Sequence, residues 1–354
     1  MIHILVVGCG NMGASHALAY EKHPGFSICG LVSRGTSKET LNTALKGNYP
    51  LFDSFEKALN TTKPQAVCIS TYPETHEPYA LAALAAGCHV FLEKPIATTP
   101  EAGQRILEKM KATNKKVVIG YILRHHPVWQ EFIAQSKTLG KPLVMRMNLN
   151  QQSRGKMWTV HQNLMQSLSP IVDCGVHYLD VMCQMTATPP ESVSAIGVRL
   201  TDAIPESNYN YGQLQIRFQD GSVGWYEAGW GPMISETAHF IKDVFGPKGA
   251  VSLLQEGQQT DAVEGHTQTD IMLLHKAALD AENHFVEPDE KKTFEEAPSH
   301  QDLCDLEQAY FYKSITENID LTSHVQEAIT SLAIAMACDE AVKTGKTVFL
   351  NTTT

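Results

Sequence analysis

The first third of the chain alternates between short, continuous apolar runs and longer amphipathic stretches. The apolar runs have the length of strands and few polar positions, as is typical of parallel strands that are buried on both faces. They cover residues 2–7, 26–32, 65–70, 89–92 and 116–121. The stretch from Thr99 to Asn114 has a helix start signal, with Thr99 as N-cap and Pro100 at the first helical position. Strands that alternate with helices predict a doubly wound parallel sheet.

The pattern changes after Ser192, where strand-like runs follow one another without intervening helices. These runs cover residues 193–200, 211–218, 222–230, 239–245 and 250–254. Asp220-Gly221 separates two of them and is a strong hairpin signal, so we predict an open, mainly antiparallel sheet. Helices cover one face of such a sheet, and a free apolar face tends to bind a second subunit. We therefore expect a homodimer or a homotetramer.

A chain of 354 residues is too long for one ordinary core, so two domains are expected. We place the first domain at residues 1–123 and the second, an α/β domain, at residues 124–354. Two helices are predicted near the end of the chain, at residues 300–319 and 325–344. Residues 258–296 carry little pattern and support only loose assignments.

A glycine motif lies where the first strand is predicted to become a helix. Gly8, Gly10 and Gly13 form G-x-G-x-x-G directly after the apolar run at residues 2–7. The first glycine allows the tight turn, the second lets the backbone approach a pyrophosphate, and the third lets helix and strand pack closely. The following helix directs free N–H groups at the phosphates. We therefore predict a dinucleotide site that includes Asn11 and Met12, in preference to a glycine-rich turn without a ligand.

The end of the second strand bears on which nicotinamide cofactor binds. An NAD site usually has Asp or Glu about 20 residues after the glycines, to hold the ribose hydroxyls. This chain has Ser33 and Arg34 there. A hydroxyl and a guanidinium can bind a 2′-phosphate, which a carboxylate would repel. The sequence thus favours NADP over NAD, with a surface turn capped by Arg34 as the alternative.

Polar residues also follow the later strands of the first domain. Ser70, Thr71 and His76 follow one buried run, and Glu93-Lys94-Pro95 follows the next. Loops at the carboxyl ends of parallel strands are where such sheets hold ligands. Lys94 could therefore meet a substrate beside the nicotinamide, although a surface lysine at a turn fits the sequence equally well.

The second domain carries a carboxylate and an imidazole four residues apart. If residues 169–180 form a helix, Asp173 and His177 share a face. Asp173 could then orient His177, the type of side chain best suited to proton transfer near neutral pH. The alternatives are a histidine satisfied within a packed helix and, less well supported, a metal ligand. No further ligand is spaced to match, so we predict no metal site.

Composition excludes several classes of function. The net charge of −10 argues against nucleic acid as a partner. The apolar runs are too short to span a membrane, and the first strand begins at Ile2, so we expect neither a membrane anchor nor a targeting segment. The eight cysteines form no C-x-x-C pair, which indicates reduced cysteines of a cytoplasmic protein.

Taken together, these motifs resemble the Gfo/Idh/MocA family, named for glucose–fructose oxidoreductase and inositol dehydrogenase. The resemblance covers nearly the whole chain and rests on the glycine motif, the Thr71 to His76 loop, Glu93-Lys94-Pro95, Arg124 and Asp173-x-Gly175-x-His177. It implies a Rossmann domain followed by an α/β domain with an open sheet. It also implies that the cofactor, NADP or NAD, contacts Glu93, Lys94 and Arg124 beside the residues predicted above.

The resemblance further implies an oxidoreductase that acts on a secondary alcohol of a sugar, polyol or related compound. Lys94, Asp173 and His177 would surround the reacting carbinol, and the Lys94–Pro95 bond is a candidate for the cis isomer. The family commonly has glycines just before the Asp, where this chain has Ser169-Pro170, so the substrate cannot be inferred from relatives. Two alternatives stay open: a reaction that oxidises and re-reduces one substrate on retained NAD to allow hydrolysis or elimination, and a non-catalytic NADP-binding regulator.

Overall fold

The computed structural model describes residues 1–235, 241–254, 269–294 and 298–350. The chain forms two compact units, one of residues 1–125 and 300–332 and one of residues 126–299 and 333–354. This differs from the linear division at residues 123 and 124, because the chain returns to the first unit after His300. Tyr20 and Phe26 explain that return: the Tyr20 hydroxyl donates to Gln308 Oε1 at 2.6 Å, and Phe26 stacks on Phe311.

The first unit contains a six-stranded parallel sheet with helices between its strands. Its strands are β1 (Ile2–Val7), β2 (Phe26–Val32), β3 (Leu51–Phe52), β4 (Ala66–Ile69), β5 (His89–Leu92) and β6 (Val117–Ile119). Its helices are α1 (Asn11–Lys22), α2 (Ser37–Ala44), α3 (Phe55–Thr62), α4 (His76–Ala85), α5 (Pro100–Thr113) and, late in the chain, α9 (His300–Thr316). The strand order β3-β2-β1-β4-β5-β6 reverses direction beside β1, and this is where such sheets bind dinucleotides.

Local sequence signals account for several of these elements. The four residues of β4 and residues 4–7 of β1 are fully or almost fully buried, as expected for central parallel strands. The predicted helix start at Thr99 is confirmed, since its side chain accepts a hydrogen bond from Ala102 N–H at 3.2 Å. Together with the strand order, these elements confirm the predicted doubly wound parallel sheet.

The second unit contains a nine-stranded, mainly antiparallel sheet, as predicted. Its strands are β7 (Val144–Gln152), β8 (Pro190–Val198), β9 (Tyr211–Phe218), β10 (Val223–Gly231), β11 (Lys242–Gly246), β12 (Gly249–Leu254), β13 (Ile271–Lys276), β14 (Glu290–Thr293) and β15 (Val348–Phe349). The order is β14-β13-β12-β11-β7-β10-β9-β8-β15, and among the described strands of this sheet only β7 and β10 pair in parallel. Residues 239–240 of the predicted strand 239–245 lie outside the described residues.

Helices cover one face of this sheet. They are α6 (Pro127–Thr138), α7 (Gly155–Leu164) and α8 (Val176–Thr186), while α10 (Thr322–Thr344) begins in the first unit and ends in the second. Asp220-Gly221 forms the predicted hairpin between β9 and β10, with Gly221 at a φ of 82°. Successive side chains of a strand point to opposite faces of the sheet. Val144, Ile196 and Phe245 are therefore exposed on the face away from these helices.

Candidate active site

The turn between β1 and α1 has the geometry of a pyrophosphate cradle. Gly8 has a φ of 91°, and a Cβ there would lie 2.2 Å from the Ser70 carbonyl oxygen. A Cβ on Gly13 would lie 1.8 Å from the Gly8 carbonyl oxygen, so helix and strand approach as closely as the motif requires. A Cβ on Gly10, by contrast, would meet no atom within 4 Å. The cradle fits a dinucleotide, because the one open glycine precedes the first N–H groups of α1, where Asn11 and Met12 lie.

The end of β2 brings hydroxyls and two cationic side chains together. Ser33 Oγ lies 2.7 Å from Ser37 Oγ, and Arg34 is exposed beside them. Sequence reasoning missed Lys38, whose buried ammonium donates to the Gly35 carbonyl oxygen at 2.7 Å and pairs with Asp53 at 2.8 Å. Its position four residues after Arg34, on the first turns of α2, was the available signal.

The loop after β4 is fixed by a buried histidine. His76 Nε2 lies 3.0 Å from the Thr71 carbonyl oxygen, and its Nδ1 lies 2.7 Å from the Pro95 carbonyl oxygen. Burial lowers the pKa of His76, although the two carbonyl contacts oppose the shift. Thr71 Oγ1 lies 2.6 Å from Thr75 Oγ1, and the Ser70 N–H donates to the Val7 carbonyl oxygen at 2.8 Å. His76 therefore joins the loop to the turn that follows β5.

The turn after β5 presents Lys94 and turns Glu93 inward. The Lys94–Pro95 peptide bond is cis, which confirms that expectation. Lys94 is half-buried, whereas Glu93 is only 6% exposed and places its Oε1 2.6 Å from His16 Nε2. Sequence reasoning had Glu93 among the cofactor contacts and did not include His16. A histidine three residues after Gly13 was the only signal for the latter.

Arg124 is engaged within the first unit. It lies on a short 3₁₀ turn (Ile122–His125), where one of its nitrogens pairs with Glu327 at 2.7 Å. Another lies 2.9 Å from His324 Nδ1, and the guanidinium carbon lies 5.3 Å from the Tyr121 ring centroid. These contacts hold Arg124 against α10, and its predicted contact with the cofactor stays a prediction.

Asp173 and His177 lie on two kinds of helix rather than on one. A π-helical turn (Ile171–Gly175) carries Asp173, and α8, which starts at Val176, carries His177. The expectation of one regular helix is therefore corrected, because the wider turn shifts the four-residue alignment. Asp173 is half-buried and its Oδ2 lies 3.4 Å from Cys174 Sγ, while His177 is buried. π-helical turns occur frequently at functional sites.

A second imidazole lies near Asp173 and was also missed. His161 on α7 is buried and stacks on Trp230, and the Trp230 N–H donates to Gln151 Oε1 at 2.8 Å. Gln151 Oε1 in turn lies 3.7 Å from Cys174 Sγ. Burial lowers the pKa of His161 to about 4, and the Asp173 carboxylate opposes the shift. The second unit thus holds a polar cluster around Asp173, and the first unit holds Lys94 and the glycine cradle.

Two further features of the described residues concern helix length and the cysteines. Among the described residues, no helix combines the length and apolar character needed to cross a membrane. All eight cysteines are free thiols; of the four in or beside the apolar runs of the first unit, Cys9, Cys68 and Cys88 are buried, whereas Cys29 is only half-buried. Burial raises the pKa of Cys68 to about 12, so this thiol stays protonated at neutral pH.

Comparison with known proteins identifies relatives of both parts of the chain. Residues 2–121 match the model of an oxidoreductase family with an NAD-binding Rossmann fold, and residues 133–350 match its C-terminal α/β domain. An inositol 2-dehydrogenase of Klebsiella pneumoniae is 28% identical over 185 residues, which is 50% of this chain and 52% of that protein. The matched chain therefore spans about half the length of this relative.

Two further relatives extend the comparison. A D-glucoside 3-dehydrogenase of Escherichia coli is 24% identical over 281 residues, which is 73% of this chain and 79% of that protein. The scyllo-inositol dehydrogenase of Lactobacillus casei, solved with NAD(H) and scyllo-inositol, shares the fold with a TM-score of 0.77 and 21% identity, covering 99% of each chain. On the strength of the two family models, this chain belongs to the Gfo/Idh/MocA family of oxidoreductases and carries its NAD(P)-binding Rossmann domain.

Proposed function

We propose that this protein is a dehydrogenase that transfers a hydride between NADP or NAD and a secondary alcohol of a sugar or polyol. The observation that carries the proposal is Lys94, half-buried at the carboxyl end of β5 in a chain of this family. Two relatives are named inositol 2-dehydrogenase and D-glucoside 3-dehydrogenase, and these names support the substrate class. When bound, the nicotinamide supplies the hydride acceptor or donor.

The chain's own residues supply the polar part of the reaction in this proposal. His177 takes the hydroxyl proton, and Asp173 orients its imidazole. Lys94 donates a hydrogen bond to the alcohol oxygen and stabilises the negative charge that develops there. The glycine cradle and α1 bind the pyrophosphate, and Ser70, Thr71 and His76 shape the adjoining loop.

We further propose that the cofactor is preferentially NADP. Ser33, Arg34 and Lys38 together offer hydroxyl and cationic groups at the end of β2, where an acidic residue would favour NAD. Lys38 is partly neutralised by Asp53 and Glu39, so Arg34 carries more of the proposed interaction with a 2′-phosphate.

Self-association through the open sheet face is also proposed. Val144, Ile196 and Phe245 lie on the face opposite to the helices, and Ile196 is 58% exposed. Light scattering after gel filtration should show a dimer or tetramer, and Ile196→Glu should lower the oligomeric mass. A monomeric native protein would contradict this part of the proposal.

A substrate panel tests the activity. Inositols, hexoses and glucosides are incubated with each cofactor and followed at the nicotinamide absorbance band. His177→Ala should lower kcat by about 10²–10⁴-fold with near-normal cofactor affinity, and the exposed His284→Ala should leave both unchanged. Substrate turnover without net absorbance change, on cofactor that copurifies, would instead indicate retained-cofactor chemistry. Tight NADPH binding with no turnover of any alcohol would indicate a regulator.

A further inference from the structure

The Glu93 carboxylate is held in the interior directly beside Lys94. Its Oε1 lies 2.6 Å from His16 Nε2, and its Oε2 accepts the Lys94 backbone N–H at 3.2 Å. A Cβ on Gly120 would lie 3.3 Å from the carboxyl carbon and from both oxygens. The carboxylate therefore packs against Gly120, which follows β6 directly and has no side chain. This close contact leaves the carboxylate little room to move.

His16 is itself fixed by a chain of hydrogen bonds. Gln308 Nε2 donates to His16 Nδ1 at 2.9 Å, and the Tyr20 hydroxyl donates to Gln308 Oε1 at 2.6 Å. Because Nδ1 accepts a hydrogen bond, the ring hydrogen is on Nε2, which faces Glu93. The ring also packs edge-on against Phe91, at a centroid distance of 4.6 Å. The donor to Glu93 thus has one tautomer and one orientation.

Charge in this cluster is divided unequally between two buried carboxyls. Burial alone would raise the pKa of Glu93, but the hydrogen bond from His16 and the nearby Lys94 lower it. Burial and the nearby Glu93 charge raise the pKa of Glu307 well above its usual range. Glu93 is therefore the carboxyl that ionises more readily, and its charge disfavours ionisation of Glu307. The titratable groups around Glu93 are His16, Tyr20, Cys68, His76, Lys94, Cys304 and Glu307.

We propose that His16 is a positioning residue that acts through Glu93 to fix the Lys94 turn and to keep a negative charge beside the Lys94 ammonium. The catalytic consequence rests on the proposed dehydrogenase function; the effect on Lys94 itself does not. His76 holds the same turn from its other side through the Pro95 carbonyl oxygen. His16 follows the glycine motif by three residues and contacts Glu93. One side chain therefore connects the cofactor cradle to the Lys94 turn.

The test compares His16→Leu, which removes the donor, with His16→Gln, which keeps one. Glu93→Gln removes the charge with little change of shape and serves if His16→Leu does not fold. His23→Leu is the matched control, because it removes an imidazole that packs on Phe26 and Tyr312 rather than on Glu93. Reaction of Lys94 with trinitrobenzenesulfonate, followed by peptide mass spectrometry over a pH series, gives the titration midpoint of Lys94 without any substrate.

His16→Leu and Glu93→Gln should each lower the Lys94 midpoint by about one pH unit, as expected for loss of a nearby opposite charge. Both should lower kcat by about 10–100-fold with KM and cofactor affinity nearly unchanged, and His16→Gln should restore most of the loss. A native midpoint and native kcat in folded His16→Leu would overturn the proposal, as would a variant that loses only thermal stability. If the midpoint shifts but no alcohol is turned over by the native protein, positioning stands and the dehydrogenase proposal fails.

A metal ion is the competing interpretation of this cluster. Ligand atoms of His16, Cys304 and Glu307 lie within 4.8 Å of one another, and neither Glu307 oxygen has a hydrogen-bond partner within the described part of the chain. Both ring nitrogens of His16 are already hydrogen-bonded, which favours positioning. Stoichiometric zinc in the purified protein, lost in Cys304→Ser but kept in Cys338→Ser, would overturn the positioning proposal.

Discussion

His161 and Trp230 lie face to face, with ring centroids 4.2 Å apart and ring planes inclined by 9°. His161 comes from α7 and Trp230 from β10, so the contact joins a helix to the sheet of the second unit. Burial keeps the pKa of His161 at about 4, in spite of Asp173. The stacked rings are therefore both uncharged at neutral pH, and the pair is sensitive to acid.

Acid should destabilise the protein partly through His161. Its pKa is about 4 when folded and about 6.5 when unfolded, so the unfolded chain binds more protons between these values. The free energy of unfolding should fall as the pH drops through this window, by up to about 1.4 kcal/mol per pH unit from this residue. His161→Phe keeps a ring on Trp230 and should give a shallower decline in urea unfolding. The exposed His284→Gln should retain the native slope, and an unchanged slope in His161→Phe would contradict the assignment.

Lys242 should make the free energy of unfolding depend on pH in the alkaline range. This buried side chain has a pKa lowered to about 7 by desolvation, and its ammonium lies 4.9 Å from the Tyr178 ring centroid. The unfolded chain therefore binds more protons between about pH 7 and about pH 10.5, and the free energy of unfolding should rise with pH in that range.

Lys242→Met removes this titration at similar volume. The native protein should gain stability relative to the variant by up to about 1.4 kcal/mol per pH unit above about pH 7, as measured by chemical denaturation. Lys137→Met, at an exposed position on α6, should follow the native curve. Parallel curves for the native protein and Lys242→Met would show that the lysine titrates normally.

The glycine cradle predicts that two similar substitutions differ in effect. Gly13→Ala places a Cβ 1.8 Å from the Gly8 carbonyl oxygen, so helix and strand must separate. It should lower the free energy of unfolding by about 1–3 kcal/mol and weaken cofactor binding. Gly10→Ala meets no atom within 4 Å and should fold normally, yet weaken cofactor binding about tenfold or about 1.4 kcal/mol, as titrated by nicotinamide fluorescence. Equal cofactor affinity in Gly10→Ala and the native protein would place the pyrophosphate elsewhere.

The cofactor preference depends on Arg34. Native protein should bind NADPH more tightly than NADH, and Arg34→Ala should lose about tenfold in NADPH affinity, or about 1.4 kcal/mol, with little change for NADH. Arg217→Ala removes an exposed guanidinium from the second unit and serves as the control. Tighter NADH binding by the native protein would reverse the proposed preference.

Elements with strong local signals could be predicted closely from the sequence. Tyr211–Phe218 alternates and ends at Asp220-Gly221, and the observed β9 has these bounds. Helix α5 starts after the predicted N-cap at Thr99. In such segments burial pattern and turn chemistry point to the same structure, so tertiary packing has nothing to override.

Features that depend on long-range packing could not be predicted. The His16–Glu93 pair spans 77 residues, and in the sequence His16 looks like any other helical histidine. The π-helical turn at Ile171–Gly175 has the composition of an ordinary helix. Strands Ile271–Lys276 and Glu290–Thr293 were missed because they are the last two strands at one end of the sheet, where their burial shows little alternation.

The return of residues 300–332 to the first unit has a consequence for synthesis on the ribosome. Helix α9 packs against α1, and it covers core residues such as Phe26 that are made early. At about 5–20 residues per second, roughly 10–35 seconds pass between synthesis of the parallel sheet and synthesis of helix α9. A fragment ending at His125 should therefore emerge with an exposed apolar flank and depend on chaperones, and it is a poor choice for expressing the nucleotide-binding part alone.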